Sequence, residues 1–404
     1  GADILSAVAA RHGVDAALAR ALAKTAAAAH RAAEVRHPPS GRAILAATID
    51  DQLRVSFASH ADALGEAAAA LLARMEALLA RHAARLDARV ESGHVRRCHG
   101  DMHLGNIVLV DGRPTLFDAI EFSEDIATVD ILYDLAFLLM DLVHLGHAGA
   151  ANRVFNTWLA ELDDEDNHAT AGAVGLMLAL RAAIRTMVHL DLADQHPPEE
   201  RAATIARARA YLRTAVAAAA EPRLRLVAIG GLSGSGKTTL AAALAPLLAP
   251  GTGAVHLRSD VERKRMFGRD ELERLPPSCY TPEISARVYE RLARRARRVL
   301  ASGWPVVVDA VYARPEEREA IARVAAEAGA DFEGLWLDAP AEELLRRVDA
   351  RRGDASDATP EVVRRQLRMQ TGPLRWRRVD ATGSPATVLT RVRRLFDPPL
   401  ADGN

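Results

Sequence analysis

The sequence predicts two domains of different class. Residues 1–221 read as a mainly α-helical domain with one small β-hairpin, and residues 222–404 as an α/β domain with a parallel five-stranded sheet. Three observations predict this. Apolar residues recur at helical spacing through most of the first part. From Arg223 onward, apolar runs of strand type alternate with helical ones, the pattern of a parallel sheet covered on both faces. The run Arg225-Leu226-Val227-Ala228-Ile229 then enters Gly230-Gly231-Leu232-Ser233-Gly234-Ser235-Gly236-Lys237-Thr238-Thr239 and leaves as an alanine- and leucine-rich helix.

Strand, G-x-x-x-x-G-K-T and helix in that order make a phosphate-binding loop in its required context. Glycines let the backbone turn sharply and bring N–H groups against phosphate oxygens, and the following helix adds free N–H groups and a positive dipole end. Gly231, Ser233, Gly234, Ser235, Gly236, Lys237, Thr238 and Thr239 form the expected ATP cradle. Lys237 is placed to reach the β- and γ-phosphates, and the Thr238 hydroxyl to ligate Mg²⁺.

The chain's 404 residues exceed one average domain. Its formal net charge of −1 does not point to a nucleic-acid surface over the whole protein. No run of 18 apolar residues is free of charge and no signal peptide opens the chain, so neither a membrane span nor a membrane partner is expected. Cys98 and Cys279 are too few for a disulfide framework, and a reducing cytoplasm is the simplest compartment. Lysine occurs only at positions 24, 237 and 264. The chain opens on Gly1 rather than Met, which reads as a processed, tagged or truncated product with something missing upstream.

Along the chain, residues 2–35 read as two helices, His37-Pro38-Pro39-Ser40-Gly41 breaks the pattern, and a helix spans about 59–91. The next informative stretch carries His99, Asp101 and Asn106 in a loop, then Asp111-Gly112 as a hairpin turn, then Phe117-Asp118 at the end of the far strand. Asp101 is placed to take a proton from an acceptor hydroxyl, Asn106 and Asp118 to ligate Mg²⁺ by oxygen, and His99 to hold the loop. Helices are expected over 128–148, 150–162, 168–193 and 198–219. The acidic turn Asp163-Asp164-Glu165-Asp166 reads as a solvated loop, and the stretch 215–222 as the hinge between domains.

The residues His99-Gly100-Asp101-x-His103-x-x-Asn106, Phe117-Asp118 and Asp130-x-x-x-Asp134-Leu135-Ala136 resemble the aminoglycoside phosphotransferase family, which shares the protein-kinase-like fold. The resemblance implies a helical C-terminal lobe, a catalytic Asp101, metal ligands Asn106 and Asp118, and an Asp134 that braces the catalytic loop. The fold's β-rich N-terminal lobe, with its glycine-rich cover and strand lysine, has no counterpart in residues 1–94, where Lys24 lies on a helix. The ATP-covering lobe is therefore expected to be lacking, either cut away upstream or lost together with independent activity.

In the second part, strands are expected at 224–230, 254–258, 304–309, 332–337 and 376–380. Ligands in such sheets bind at the carboxyl ends of the strands. Asp260 and Arg263 follow the second strand on one face of a helix start, the carboxylate to accept the substrate hydroxyl proton and the arginine to neutralise the transferred phosphate. Ser259 or Asp260 equally reads as a helix cap. Asp309 ends the third strand, placed to act on Mg²⁺ as a Walker-B carboxylate. Arg351 and Arg352 beside Gly353 suggest a lid over the phosphates, with Arg351 the transfer-stabilising group and Arg352 against the nucleotide.

The phosphate loop, the Asp260-x-x-Arg263 pair, Asp309 and the arginine-bearing lid are similar to the small P-loop kinases of the gluconate kinase, chloramphenicol phosphotransferase and polynucleotide kinase group. The whole chain resembles bacterial proteins, labelled AAA-family ATPases, that fuse an aminoglycoside-phosphotransferase-like domain to a P-loop kinase domain. This implies an ATP- and Mg²⁺-dependent kinase of a small hydroxylated molecule. Two alternatives stand beside it: a polynucleotide 5′-hydroxyl kinase, with Arg291, Arg294, Arg295, Arg297 and Arg298 as a basic face, and a nucleotide-dependent switch with a degenerate kinase-like domain. The sequence does not set the oligomeric state.

Overall fold

The computed structural model describes residues 3–350, 353–396 and 400. It divides into one unit of Gly1–Leu162, Thr170–Glu221 and Pro250–Thr252 and a second of Asp163–Ala169, Pro222–Ala249 and Gly253–Asn404.

In the first unit the strands are β1 (Asp3–Ile4), β2 (Val95–Arg97), β3 (Ile107–Val110), β4 (Arg113–Leu116) and β5 (Thr128–Asp130). Asp111 and Gly112 adopt φ of 49° and 74°, the left-handed pair that a two-residue hairpin needs, and join β3 to β4. β1 adds antiparallel to β3, and β2 pairs with β5. The other regular elements are helical. The helix Ile131–His144 is buried on every side from Ile131 to Met140, which explains its unbroken apolar run. Asp130 starts it by accepting the Leu132 amide at 2.8 Å, and the same carboxylate holds the buried Arg89 of the helix Glu66–Glu91. Residues 43–58, to which the sequence reading assigned no element, lie in Ala43–Ala47, a π-helical stretch Thr48–Leu53, and Arg54–Ser59.

One segment bears on the membrane expectation. Ala171–Gln195 is long and apolar enough to cross a membrane by length and composition, but 78% of its most apolar window is buried inside the protein. Arg181 and Arg185 interrupt its apolar sequence.

The second unit carries β6 (Arg225–Gly230), β7 (Val255–Arg258), β8 (Val306–Asp309), β9 (Asp331–Asp338) and β10 (Arg377–Asp380) in one parallel sheet of order β10-β9-β6-β8-β7. Strands β6 and β8 are buried at every position, as runs without polar alternation require. The helices Lys237–Leu244 and Pro385–Arg393 pack Leu240, Leu244, Val388 and Val392 against Val227, Ile229, Val307 and Leu337. From β6 the chain passes to β7 and β8 on one side and then to β9 and β10 on the other, so strand order reverses beside the carboxyl end of β6. A crevice forms at such a switch point.

The acidic turn is not a solvated loop. Asp163, at φ 55°, pairs with Arg291 and Arg295, whose guanidinium groups also hold the buried Glu262 at 2.6 Å. Glu165 pairs with Arg294 and Arg298, and Glu327 with Arg297. The arginine face proposed for nucleic acid is thus neutralised by carboxylates, which helical spacing alone could not reveal.

Beside this cluster His168 is buried, and burial followed by the charge of Arg295 pushes it down to about 4. Between the ordinary histidine value of 6.5 and about 4, the unfolded chain therefore binds a proton that the folded chain refuses. Stability should fall as pH drops through that window, by up to about 1.4 kcal/mol per pH unit, and should be unaffected by His168 above it. Urea midpoints from pH 7 to pH 4 check this: His168→Leu should show the shallower fall, and identical slopes would contradict it.

Candidate active site

At the end of β6 the backbone turns through Gly231, Gly234 and Gly236, at φ of 135°, 86° and 90°. Two of these glycines are forced by space as well. A Cβ on Gly231 would lie 2.6 Å from the Leu337 carbonyl oxygen, and one on Gly234 would lie 2.5 Å from that of Leu344. The loop closes with the Ser235 amide donating to Leu232 O at 3.1 Å, while Lys237 Nζ donates to the same carbonyl at 3.0 Å. Gln366 Oε1 accepts the Ser233 amide at 2.8 Å. The Ser235 hydroxyl is buried without a hydrogen-bond partner, and Thr239 faces solvent.

Parallel register fixes the rest. Asp309 ends β8 opposite Ile229 of β6 and Arg258 of β7. Its Oδ1 accepts the Thr238 hydroxyl at 3.2 Å, and its Oδ2 lies 2.6 Å from His256 Nε2 on β7. Burial opposes its ionisation, but His256, Arg258 and Lys237 outweigh that and hold Asp309 below the usual carboxylate range. Asp260, in the first turn of the helix Ser259–Met266, goes the other way. Burial and the charge of Asp309 push its carboxyl up, against Arg258, Lys237 and a hydrogen bond from Ser356. Neither Ser259 nor Asp260 caps that helix; Arg258 holds the cap position and no side chain caps it.

Arg263 is committed to structure on its side of the helix. It donates to Cys279 O at 2.8 Å and Ser285 Oγ at 3.3 Å, with its guanidinium 4.8 Å from the Tyr280 ring centre. Arg351 and Arg352 lie outside the described residues. The stretch that follows them is tied down: Asp354 accepts from Arg258 at 3.0 Å, and Asp357 accepts from Lys264 at 3.3 Å, the Leu275 amide at 3.0 Å and the Tyr280 hydroxyl at 2.6 Å. Arg347 bonds Glu343 at 2.6 Å and Ala381 O at 3.0 Å, near Gly236. Sequence reasoning missed His256, Arg258, Ser356 and Gln366. Only His256 and Arg258 carried a signal, lying at the end of a recognisable strand.

In the first unit, Asp101 and Asn106 meet. Asn106 Nδ2 donates to Asp101 O at 3.0 Å and to its Oδ2 at 2.9 Å, and His103 lies 3.4 Å from the same oxygen. Burial raises the Asp101 carboxyl, but His103, Arg181 and Asn106 together hold it below its ordinary value. Asp118 does not join them. It is exposed at φ 58°, and among the described residues no hydrogen bond or ion pair links it to Asp101 or Asn106. Asp134 accepts the Gly100 amide at 2.8 Å and lies 3.1 Å from His30 Nε2, whose other nitrogen accepts from Trp158 at 2.9 Å. His30, Cys98 and Asp134 could hold a metal by proximity alone, but these bonds already occupy both nitrogens of the His30 ring. His99 Nε2 donates to Phe117 O at 2.9 Å. Lys24 lies on the helix Ala16–Ala32 and pairs with Glu161 at 4.0 Å.

Residues 1–172 match the phosphotransferase enzyme family, and residues 226–373 match an AAA domain. Uncharacterized proteins of Mycobacterium tuberculosis and Mycobacterium bovis are 30% identical over 305 residues, covering 73% of this chain. The match covers only 58% of those curated relatives' own length. Among solved structures, the Mycobacterium tuberculosis APS kinase in complex with AMPPNP and APS is 25% identical, with a TM-score of 0.33 over 44% of this chain and 99% of its own. A sugar kinase from Janibacter is 21% identical, with a TM-score of 0.34 over 43% of this chain and 95% of its own.

Because a Cβ at Gly234 meets backbone and its φ is left-handed, Gly234→Ala should cost about 1–3 kcal/mol of stability through strain alone. It should also weaken nucleotide binding by about tenfold or more as the loop amides shift. Titration with a nucleotide analogue and a thermal melt check both; wild-type affinity would show that the loop geometry does not matter.

Proposed function

We propose that this chain, whose residues 1–172 match a phosphotransferase family and residues 226–373 an AAA domain, is an ATP- and Mg²⁺-dependent kinase of a small molecule's hydroxyl group, with its chemistry in the second unit. The observation that carries the reading is Asp309, a buried carboxylate kept charged and hydrogen-bonded to the Thr238 hydroxyl at 3.2 Å. Two hard oxygen donors at the end of a phosphate loop fit Mg²⁺. The Thr238 hydroxyl and Asp309 would hold the ion, which supplies charge neutralisation on the phosphates when bound.

The remaining roles belong to this chain's residues. Loop amides and Lys237 bind the phosphates. Asp260 accepts the acceptor's proton as that oxygen bonds phosphorus and the bond from phosphorus to the ADP oxygen breaks. A carboxyl raised by burial and a neighbouring negative charge is a better proton acceptor than an ordinary one. Arg263 serves as a positioning residue that holds the Cys279 and Tyr280 segment near Asp260. Arg351 and Arg352 keep their assignment to the transferred phosphate and the nucleotide on sequence position. In the first unit, Asp101 and Asn106 retain a loop geometry, but Asp118 stands apart and Lys24 is engaged elsewhere. That favours a role in binding or regulation over a second transfer. The two buried free cysteines accord with a reducing cytoplasm.

Asp260→Asn tests the reading. It should leave nucleotide affinity unchanged and lower phosphoryl transfer by about 10²–10⁴-fold, the usual range for a lost general base. Unaffected transfer would remove Asp260 as the base.

A further inference from the structure

Three buried side-chain nitrogens without a hydrogen-bond partner recur at intervals of four residues on the helix Val174–Gln195. They are Arg181 Nη2, Arg185 Nε and His189 Nδ1. That spacing places them on one helix face. A buried polar group left without a partner costs about 1–3 kcal/mol, more when charged, so a row of three calls for an explanation.

The surroundings are aromatic and positive. Arg181 is 6% exposed, with its guanidinium 3.9 Å from the Tyr133 ring centre and 4.8 Å from that of Phe137. Its Nε reaches Tyr133 O at 3.4 Å. The Arg185 guanidinium lies 5.5 Å from the Tyr211 ring centre. Tyr211 stacks on His144 at 3.8 Å and on His189 at 5.4 Å. Burial, then the charge of Arg185, pushes both histidines below their ordinary value.

The carboxylates nearest the row, Asp141 beside Arg185 and Asp101 beside Arg181, are already hydrogen-bonded within the Asp101 loop. Asp141 accepts the Leu104 amide at 3.1 Å, and Asp101 is held by Asn106 and His103. Among the described residues neither Arg181 nor Arg185 has a carboxylate ion pair. The row runs toward the Asp101 loop: Arg181 lies 4.8 Å from the Phe137 ring centre, and His103 of that loop lies 5.1 Å from the same ring. Arg185, His189 and Tyr211 are only partly buried, so the face can be reached from solvent.

We propose that this face of the first unit binds the oxyanion of a small molecule, a phosphate monoester or a carboxylate, between Arg181 and Arg185 with Tyr211 and His189 completing its hydrogen bonds. Arginine forks pair equally with either anion. The same charge disfavours a polycationic amine beside Asp101. The site goes beyond the transfer reaction assigned to the second unit and stands or falls without it.

Calorimetry on the full chain tests it, in a Lys237→Ala background that weakens the phosphate loop's own anion binding. Inorganic phosphate and acetate are titrated separately. Binding of phosphate alone identifies a phosphate ligand, and binding of acetate as well identifies a carboxylate-tolerant one; both support the site. Arg185→Gln should weaken that binding by about tenfold or more, as loss of one charge-assisted hydrogen bond requires. His189→Gln should weaken it too, and serves if Arg185→Gln does not fold. Absence of binding to either anion, or binding that both variants leave unchanged, would overturn the proposal. Phosphoryl transfer by the otherwise wild-type protein is read separately, so failure here and failure of the second-unit chemistry give different results.

Discussion

Asp309 is a buried carboxylate held below the usual carboxylate range, and the contacts of the second unit's site converge on it. The strand ladder puts it level with Ile229 and Arg258, so its position is set by the sheet rather than by a loop. Desolvation works against the charge. His256, Arg258 and Lys237 offset it, and the Thr238 hydroxyl ties the first helical turn after the phosphate loop to the same carboxylate. Asp260 inherits the opposite bias from the same charge. Two neighbouring carboxylates are thereby biased in opposite directions, Asp309 toward its ionised form and Asp260 toward its protonated one, as differing environments do in acid–base sites.

The first unit uses similar means for a different result. Asp134 orients the Gly100 amide and is itself positioned by His30 and Trp158, so the loop around Asp101 is braced from the core. Yet Asn106 spends its amide on Asp101, and Asp118 is turned out to solvent. A braced loop beside a row of arginines is better suited to holding an anion than to carrying a complete nucleotide site.

How much was legible in the sequence follows from the range of each interaction. Strands β6 and β8 announced themselves because residues buried on both faces leave no polar alternation. The phosphate loop is local, so its glycines and Lys237 were readable in ten residues. The partners that complete the site were not. Gln366 is 133 residues from Ser233, and His256 is 53 from Asp309. The sequence does not state which strands become neighbours. The acidic turn at Asp163 was misread for the same reason: its arginine partners lie 128 and 132 residues away.

The central claim is that phosphoryl transfer is performed by the phosphate-loop half. The most direct test is transfer from labelled ATP into a pool of small hydroxylated metabolites, with wild type, Lys237→Ala and Asp101→Asn run side by side. The account predicts a labelled product for wild type and Asp101→Asn, and its loss in Lys237→Ala. Transfer that survives Lys237→Ala but disappears in Asp101→Asn would contradict it and move the chemistry to the first unit.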